Sequence, residues 1–105
     1  MRQAHAEDAS RYAQYREARD RRLAEYRSAL APLDAQYVAD RDRLSEEYRT
    51  SCADRATRER AFEAAHDPIY SSYRAACSQL WAQYCAAEAA LYAQFQAYLA
   101  APRDG

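Results

Sequence analysis

An all-α fold is what this sequence predicts, and three observations predict it. The chain is rich in alanine, arginine, glutamate and leucine, all strong helix formers. It contains no asparagine, and its single glycine is the last residue, Gly105, so the positive-φ positions of tight strand hairpins have nothing to occupy them. Aromatic residues return every eleven positions: Tyr15, Tyr26, Tyr37 and Tyr48, then Tyr70, Trp81 and Tyr92. A second column follows the same interval, Phe62, Tyr73, Tyr84 and Phe95. Eleven residues make three helical turns plus about 20°, so each column stays on one side of a helix. The pattern reads as an internal repeat that lays an aromatic seam along a helical surface. Tyrosine suits such a seam, because its ring packs while its hydroxyl finds water or a partner.

The prolines then divide the chain. Pro32, Pro68 and Pro102 lie at similar intervals, and proline inside a helix costs about 3 kcal/mol. The expected elements are therefore three helices over residues 3–31, 33–66 and 68–101, forming an elongated up-down-up bundle in a single domain, 1–105. The first carries Tyr12, Tyr15, Leu23, Tyr26 and Leu30 at three-four spacing, with Arg19 interrupting. The second carries Leu33, Tyr37, Leu44, Tyr48, Cys52 and Phe62. The third opens on Asp67 as N-cap with Pro68 at the first helical position. It closes at "APRDG". No glycine or asparagine caps the chain before Pro32. That leaves an alternative: one long helix kinked at Pro32, folded back near Asp67 against the C-terminal helix as an antiparallel hairpin.

Charge separates the two ends of the sequence. Net charge is −1, which gives no bulk attraction to nucleic acid or to an anionic membrane. Residues 1–66 carry 13 arginines and 13 acidic residues, while residues 67–105 carry only Arg74 and Arg103 against Asp67, Glu88 and Asp104. The third helix is accordingly apolar over more than half its circumference. Ile69, Tyr73, Leu80, Tyr84, Leu91, Phe95 and Tyr98 form one face, and Tyr70, Cys77, Trp81, Cys85, Tyr92 and Leu99 an adjacent one. Such a helix needs cover on several sides. Alanines 53, 64, 75, 86 and 97 repeat at eleven and permit close approach of another helix.

The function expected from these features is non-enzymatic: a structural or interaction protein that associates with itself or with another helical protein. Its interaction seam comprises Tyr70, Tyr73, Leu80, Trp81, Tyr84, Leu91, Tyr92 and Phe95. Two alternatives have less support. "REARDRR" and its neighbours place Arg16, Arg19, Arg22 and Arg27 among tyrosines, a pattern that contacts phosphates and stacks bases in small nucleic-acid-associated regulators. Residues 75–101 carry a single charge, Glu88, over a length sufficient for a membrane span, though four glutamines and many alanines weaken insertion.

No catalytic, metal or cofactor site is expected. The chain has no glycine-rich phosphate loop and only two histidines, His5 and His66. Glu63 and His66 have the Glu-x-x-His spacing of di-iron bundles, but the blander reading places His66 at a helix C-terminus. Cys77 and Cys85 read as small apolar core residues, too far apart on one helix to bridge. Three cysteines make no disulfide framework, and "MRQAHAEDASRY" lacks an apolar signal core. The expectation is a cytoplasmic chain with reduced thiols. Arg19 and Arg41 fall within the apolar stripes, where they either cover tyrosine rings or pair with Glu59 or another carboxylate.

Overall fold

In a computed structural model, which describes residues 2–102 and the side chains from residue 5 onward, the chain forms two helices: α1, Arg2–Thr50, and α2, Arg55–Ala100. Among the described residues there is no strand. The all-α expectation holds, and the three-helix bundle does not: there are two helices, and the segment Ser28–Leu80 folds back on itself as a hairpin. Neither Pro32 nor Pro68 ends a helix, since they lie inside α1 and α2. The expected limits at 31 and 33, and at 66 and 68, are interior positions. The alternative hairpin comes nearer, but the chain reverses at Ser51–Asp54 and not near Asp67.

The physical reason is that a proline forfeits only one helical hydrogen bond, here to the carbonyl of residue 28 or 64. Both prolines are exposed. Leu30, Leu33 and Tyr37 continue the covered stripe of α1 past Pro32, and Ile69 and Tyr73 continue that of α2 past Pro68. Packing on either side outweighs the local cost. Capping decides where the reversal falls. Asp54 is the N-cap of α2: its Oδ1 accepts from the Thr57 amide at 2.8 Å, and its carbonyl accepts the first helical bond from the Arg58 amide at 2.9 Å. Those Thr57 bonds, backbone first and side chain second, hold the Asp54 carboxyl below its ordinary range, with Arg58 assisting. At the end of α1 the Thr50 hydroxyl donates to the Glu46 carbonyl at 2.9 Å, and Arg49 pairs with Glu46 beside the negative end of the helix. The Ala53 amide reaches Ser51 Oγ at 3.2 Å within the turn.

The chain packs as two compact units. The hairpin unit, Ser28–Leu80, contains the turn and the helical segments flanking it. Its core is thin: Leu44, 4% exposed, is the one buried residue among those described. The terminal unit, Met1–Arg27 with Trp81–Gly105, pairs the first half of α1 with the last half of α2. In both, the half-buried positions recur at three-four spacing. Along α1 they include Tyr15, Arg19, Leu23 and Tyr26, then Leu30, Leu33, Tyr37 and Asp40. Along α2 they include Phe62, His66, Ile69 and Tyr73, then Tyr84, Leu91, Phe95 and Tyr98. Surface charges form short local pairs, among them Arg22–Glu25, Arg43–Glu47 and Arg55–Glu59. Each such pair contributes only a few tenths of a kcal/mol.

Candidate interaction surface

Four tyrosines of α1, eleven residues apart, each meet one aromatic of the second α2 column. In the hairpin unit Tyr37 stacks on Tyr73 with ring centroids 4.6 Å apart, and Tyr48 meets Phe62 edge-on at 6.2 Å. In the terminal unit Tyr26 stacks on Tyr84 and Tyr15 on Phe95, both at 5.2 Å. One index rises by eleven as the other falls by eleven, so the helix segments run antiparallel within each unit. Offset stacked and edge-on rings are the favoured geometries, each adding about 0.5–1.5 kcal/mol beyond area burial in protected sites.

Polar groups close the edges of this packing. In the hairpin unit the Tyr37 hydroxyl and His66 Nε2 form a hydrogen bond of 2.8 Å. The His66 ring lies nearly parallel to those of Phe62 and Tyr70, at 5.4 and 5.7 Å. Its Nδ1 is 3.4 Å from Asp67 Oδ1. His66 is therefore a mid-helix packing residue, and the helix-end role expected for it is corrected, because α2 runs on past it. Tyr73 donates its hydroxyl to Asp34 Oδ1 at 2.6 Å. That carboxylate, followed by desolvation and the nearby Cys77, pushes the Tyr73 hydroxyl well above the usual phenol range. In the terminal unit desolvation pushes Tyr84 upward, with a hydrogen bond to Glu88 adding to it and Arg19 opposing it.

Arginines cap the rings from outside. Arg41 lies over Tyr37 at 5.9 Å and Arg58 over Tyr48 at 5.0 Å in the hairpin unit. Arg19 lies over Tyr15 at 5.6 Å and Arg11 over Tyr98 at 4.8 Å in the terminal unit. These are the cation–π distances at which a guanidinium is attracted to the ring face. Three of the four arginines of the nucleic-acid alternative already have partners. Arg16 and Arg19 sit over Tyr12 and Tyr15, Arg22 pairs with Glu25 at 3.0 Å, and Arg27 is exposed.

The residues expected to form one seam divide into two sets. Tyr73, Leu80, Tyr84, Leu91 and Phe95 are half-buried and face the neighbouring helix. Tyr70, Trp81 and Tyr92 stay exposed, at 42%, 53% and 54%. Trp81 and Tyr92 are nevertheless held in place: Trp81 contacts Tyr26 and Tyr84 at 5.6 Å, and Tyr92 contacts Tyr15 at 6.4 Å. In the hairpin unit Leu33, Gln36, Ile69, Tyr73 and Ala76 border an open groove of about 500 Å³.

The thiols are free. Cys77 is half-buried, but Cys52 and Cys85 are exposed, which corrects the core placement of Cys85. Among the described residues no three His, Cys, Asp or Glu side chains come together as a metal-binding group, and Glu63 does not join His66 in one. No described helix is long and apolar enough to cross a membrane, the segment 75–100 included. Comparisons with known protein families, curated proteins and solved structures return no match.

Proposed function

We propose that this chain is a non-enzymatic helical interaction module, built from eleven-residue units and acting through the aromatic flank that its own helices leave uncovered. The carrying observation is the contrast between the two aromatic columns of α2. Phe62, Tyr73, Tyr84 and Phe95 are consumed by contacts with α1, while Trp81 and Tyr92 are about half exposed on rings already held by neighbours. A fixed, partly wet aromatic pays little conformational entropy on docking, which is why Trp and Tyr dominate binding hot spots. Trp81 is the leading anchor. The mode is helix against helix, with a second copy or another amphipathic helix as partner. The arginine-rich part of α1 supports a nucleic-acid role less well, because its guanidiniums already serve tyrosine rings and a carboxylate.

Sedimentation at several micromolar concentrations, read together with the emission of the single tryptophan, tests this reading. A mass above 12.1 kDa is expected, with emission that moves to the red on dilution as Trp81 returns to water. A single-chain mass throughout, combined with a stable and cooperative fold, would sink self-association. It would mean that the exposed flank needs no cover from a second copy.

A further inference from the structure

The reading of the chain as an association module leaves the occupant of its exposed flank open, and the terminal unit identifies one. The α2 segment 81–100 carries one charged residue, Glu88. Its exposed positions are Trp81, Cys85, Tyr92 and Leu99, together with alanines and glutamines. The α1 segment of the same unit carries the arginines and most of the carboxylates. An exposed surface helix normally turns charge toward water. This one has its charge on the other helix, so the partner that suits it is an equally uncharged helix.

The surface area points the same way. The chain exposes 8058 Å² at 12.1 kDa, whereas a folded monomer of that mass exposes about 6,000 Å² by the usual scaling. The excess, about 2,000 Å² per chain, is spread over both helices, and the flank of residues 81–100, a helix about 30 Å long, supplies part of it.

We propose that residues 81–100 of α2 dock antiparallel on the same residues of a second copy, in a two-fold interface that places the two uncharged helices inside and the charged α1 segments outside. Charge selects the direction. A parallel, in-register pair would set Glu88 against Glu88, a like-charge contact without compensation. An antiparallel pair centred between Glu88 and Tyr92 sets each Glu88 against the Tyr92 hydroxyl of the other copy. The same register brings Trp81 over Leu99 and leaves Gln96 one residue, about 1.5 Å of helical rise, from the level of Cys85. Cys85 and Ala89 beside this strip are exposed and small, so the helix axes can approach to about 10 Å. The interface is isologous, which closes at two copies.

Two experiments test the proposal on the full chain. In the first, sedimentation equilibrium is run on the wild type, on Trp81→Ala with Tyr92→Ala, and on Tyr70→Ala. The wild type is expected at twice the chain mass. The double variant should dimerise at least about 30-fold more weakly, the effect of losing a hot-spot side chain, and Tyr70→Ala should match the wild type. Helical circular dichroism at matched concentration separates lost association from lost folding. In the second, cysteines 52 and 77 are replaced by serine and the remaining thiols are oxidised. Cys85 alone should give no covalent dimer, because ten residues of helical rise keep the two copies about 15 Å apart. Adding Gln96→Cys should give one. A wild type at single-chain mass overturns self-association altogether and leaves the module reading only a different helix as partner. A wild type that assembles, with Trp81→Ala/Tyr92→Ala assembling equally well, or with Cys85 linking to its own counterpart, overturns this interface alone.

Discussion

Tyr37 joins more of the packing than any single contact describes, and its removal can be worked through from geometry. It stacks on Tyr73 at 4.6 Å, touches the Tyr70 and His66 rings at 5.9 and 5.8 Å, and shares a hydrogen bond with His66 at 2.8 Å. Tyr37→Phe deletes the hydrogen bond and keeps the ring. A typical bond is worth about 1 kcal/mol net, and a partner left part-buried without one adds to the cost, so a loss of about 1–1.5 kcal/mol is expected. Tyr37→Ala deletes the ring as well. Truncating a fully buried aromatic costs about 3–5 kcal/mol, and Tyr37 is only half-buried, which scales the loss to about 2–3 kcal/mol. Val38→Ala, next in sequence but exposed, should change stability by less than about 0.5 kcal/mol. Urea unfolding followed by circular dichroism at one fixed protein concentration measures all three, since association would otherwise shift the midpoints. If Tyr37→Ala cost no more than Val38→Ala, the aromatic seam could not be what holds the helices together.

Leu44→Ala should be the most damaging aliphatic truncation, at about 2–5 kcal/mol, because Leu44 is the one described residue that is buried; thermal unfolding against Leu23→Ala and Leu30→Ala checks the order. Pro32→Ala should stabilise the fold by about 1–3 kcal/mol by restoring a hydrogen bond inside a continuous helix, whereas destabilisation in the same urea assay would mean that the proline sets a bend the packing needs. Tyr73 should ionise above the usual phenol range in an ultraviolet pH titration, and Asp34→Asn should bring it down toward that range. Its folded-state ionisation lies above the unfolded value of about 10, so the stability it contributes is complete below pH ~10 and is lost as pH rises toward the folded value.

The eleven-residue aromatic interval and the low-charge composition of residues 75–101 were readable without coordinates, because both depend only on helical periodicity. Spacing alone separated the Ile69–Tyr73–Leu80 face from the Tyr70–Trp81–Tyr92 face. The proline spacing predicts helix boundaries at Pro32 and Pro68 where the structure has none, because packing on both sides outweighs the local penalty. The signal for the true reversal was present in "SCADRAT", with Ser51 and Asp54 three residues apart and Thr57 following. The His66–Tyr37 and Tyr73–Asp34 bonds had no sequence signal, since each joins residues 29 or 39 positions apart.

By itself, then, the sequence determined the helical state of the backbone and which side chains share a helix face, both consequences of local propensity and of a 3.6-residue turn. Only the tertiary structure decided that the helices run on through Pro32 and Pro68 and which aromatic column is covered. Those outcomes depend on a competition between distant segments. The stacking of Tyr37 on Tyr73, or of Tyr15 on Phe95, gains free energy only once two parts of the chain have met, and no local pattern records which partner will arrive.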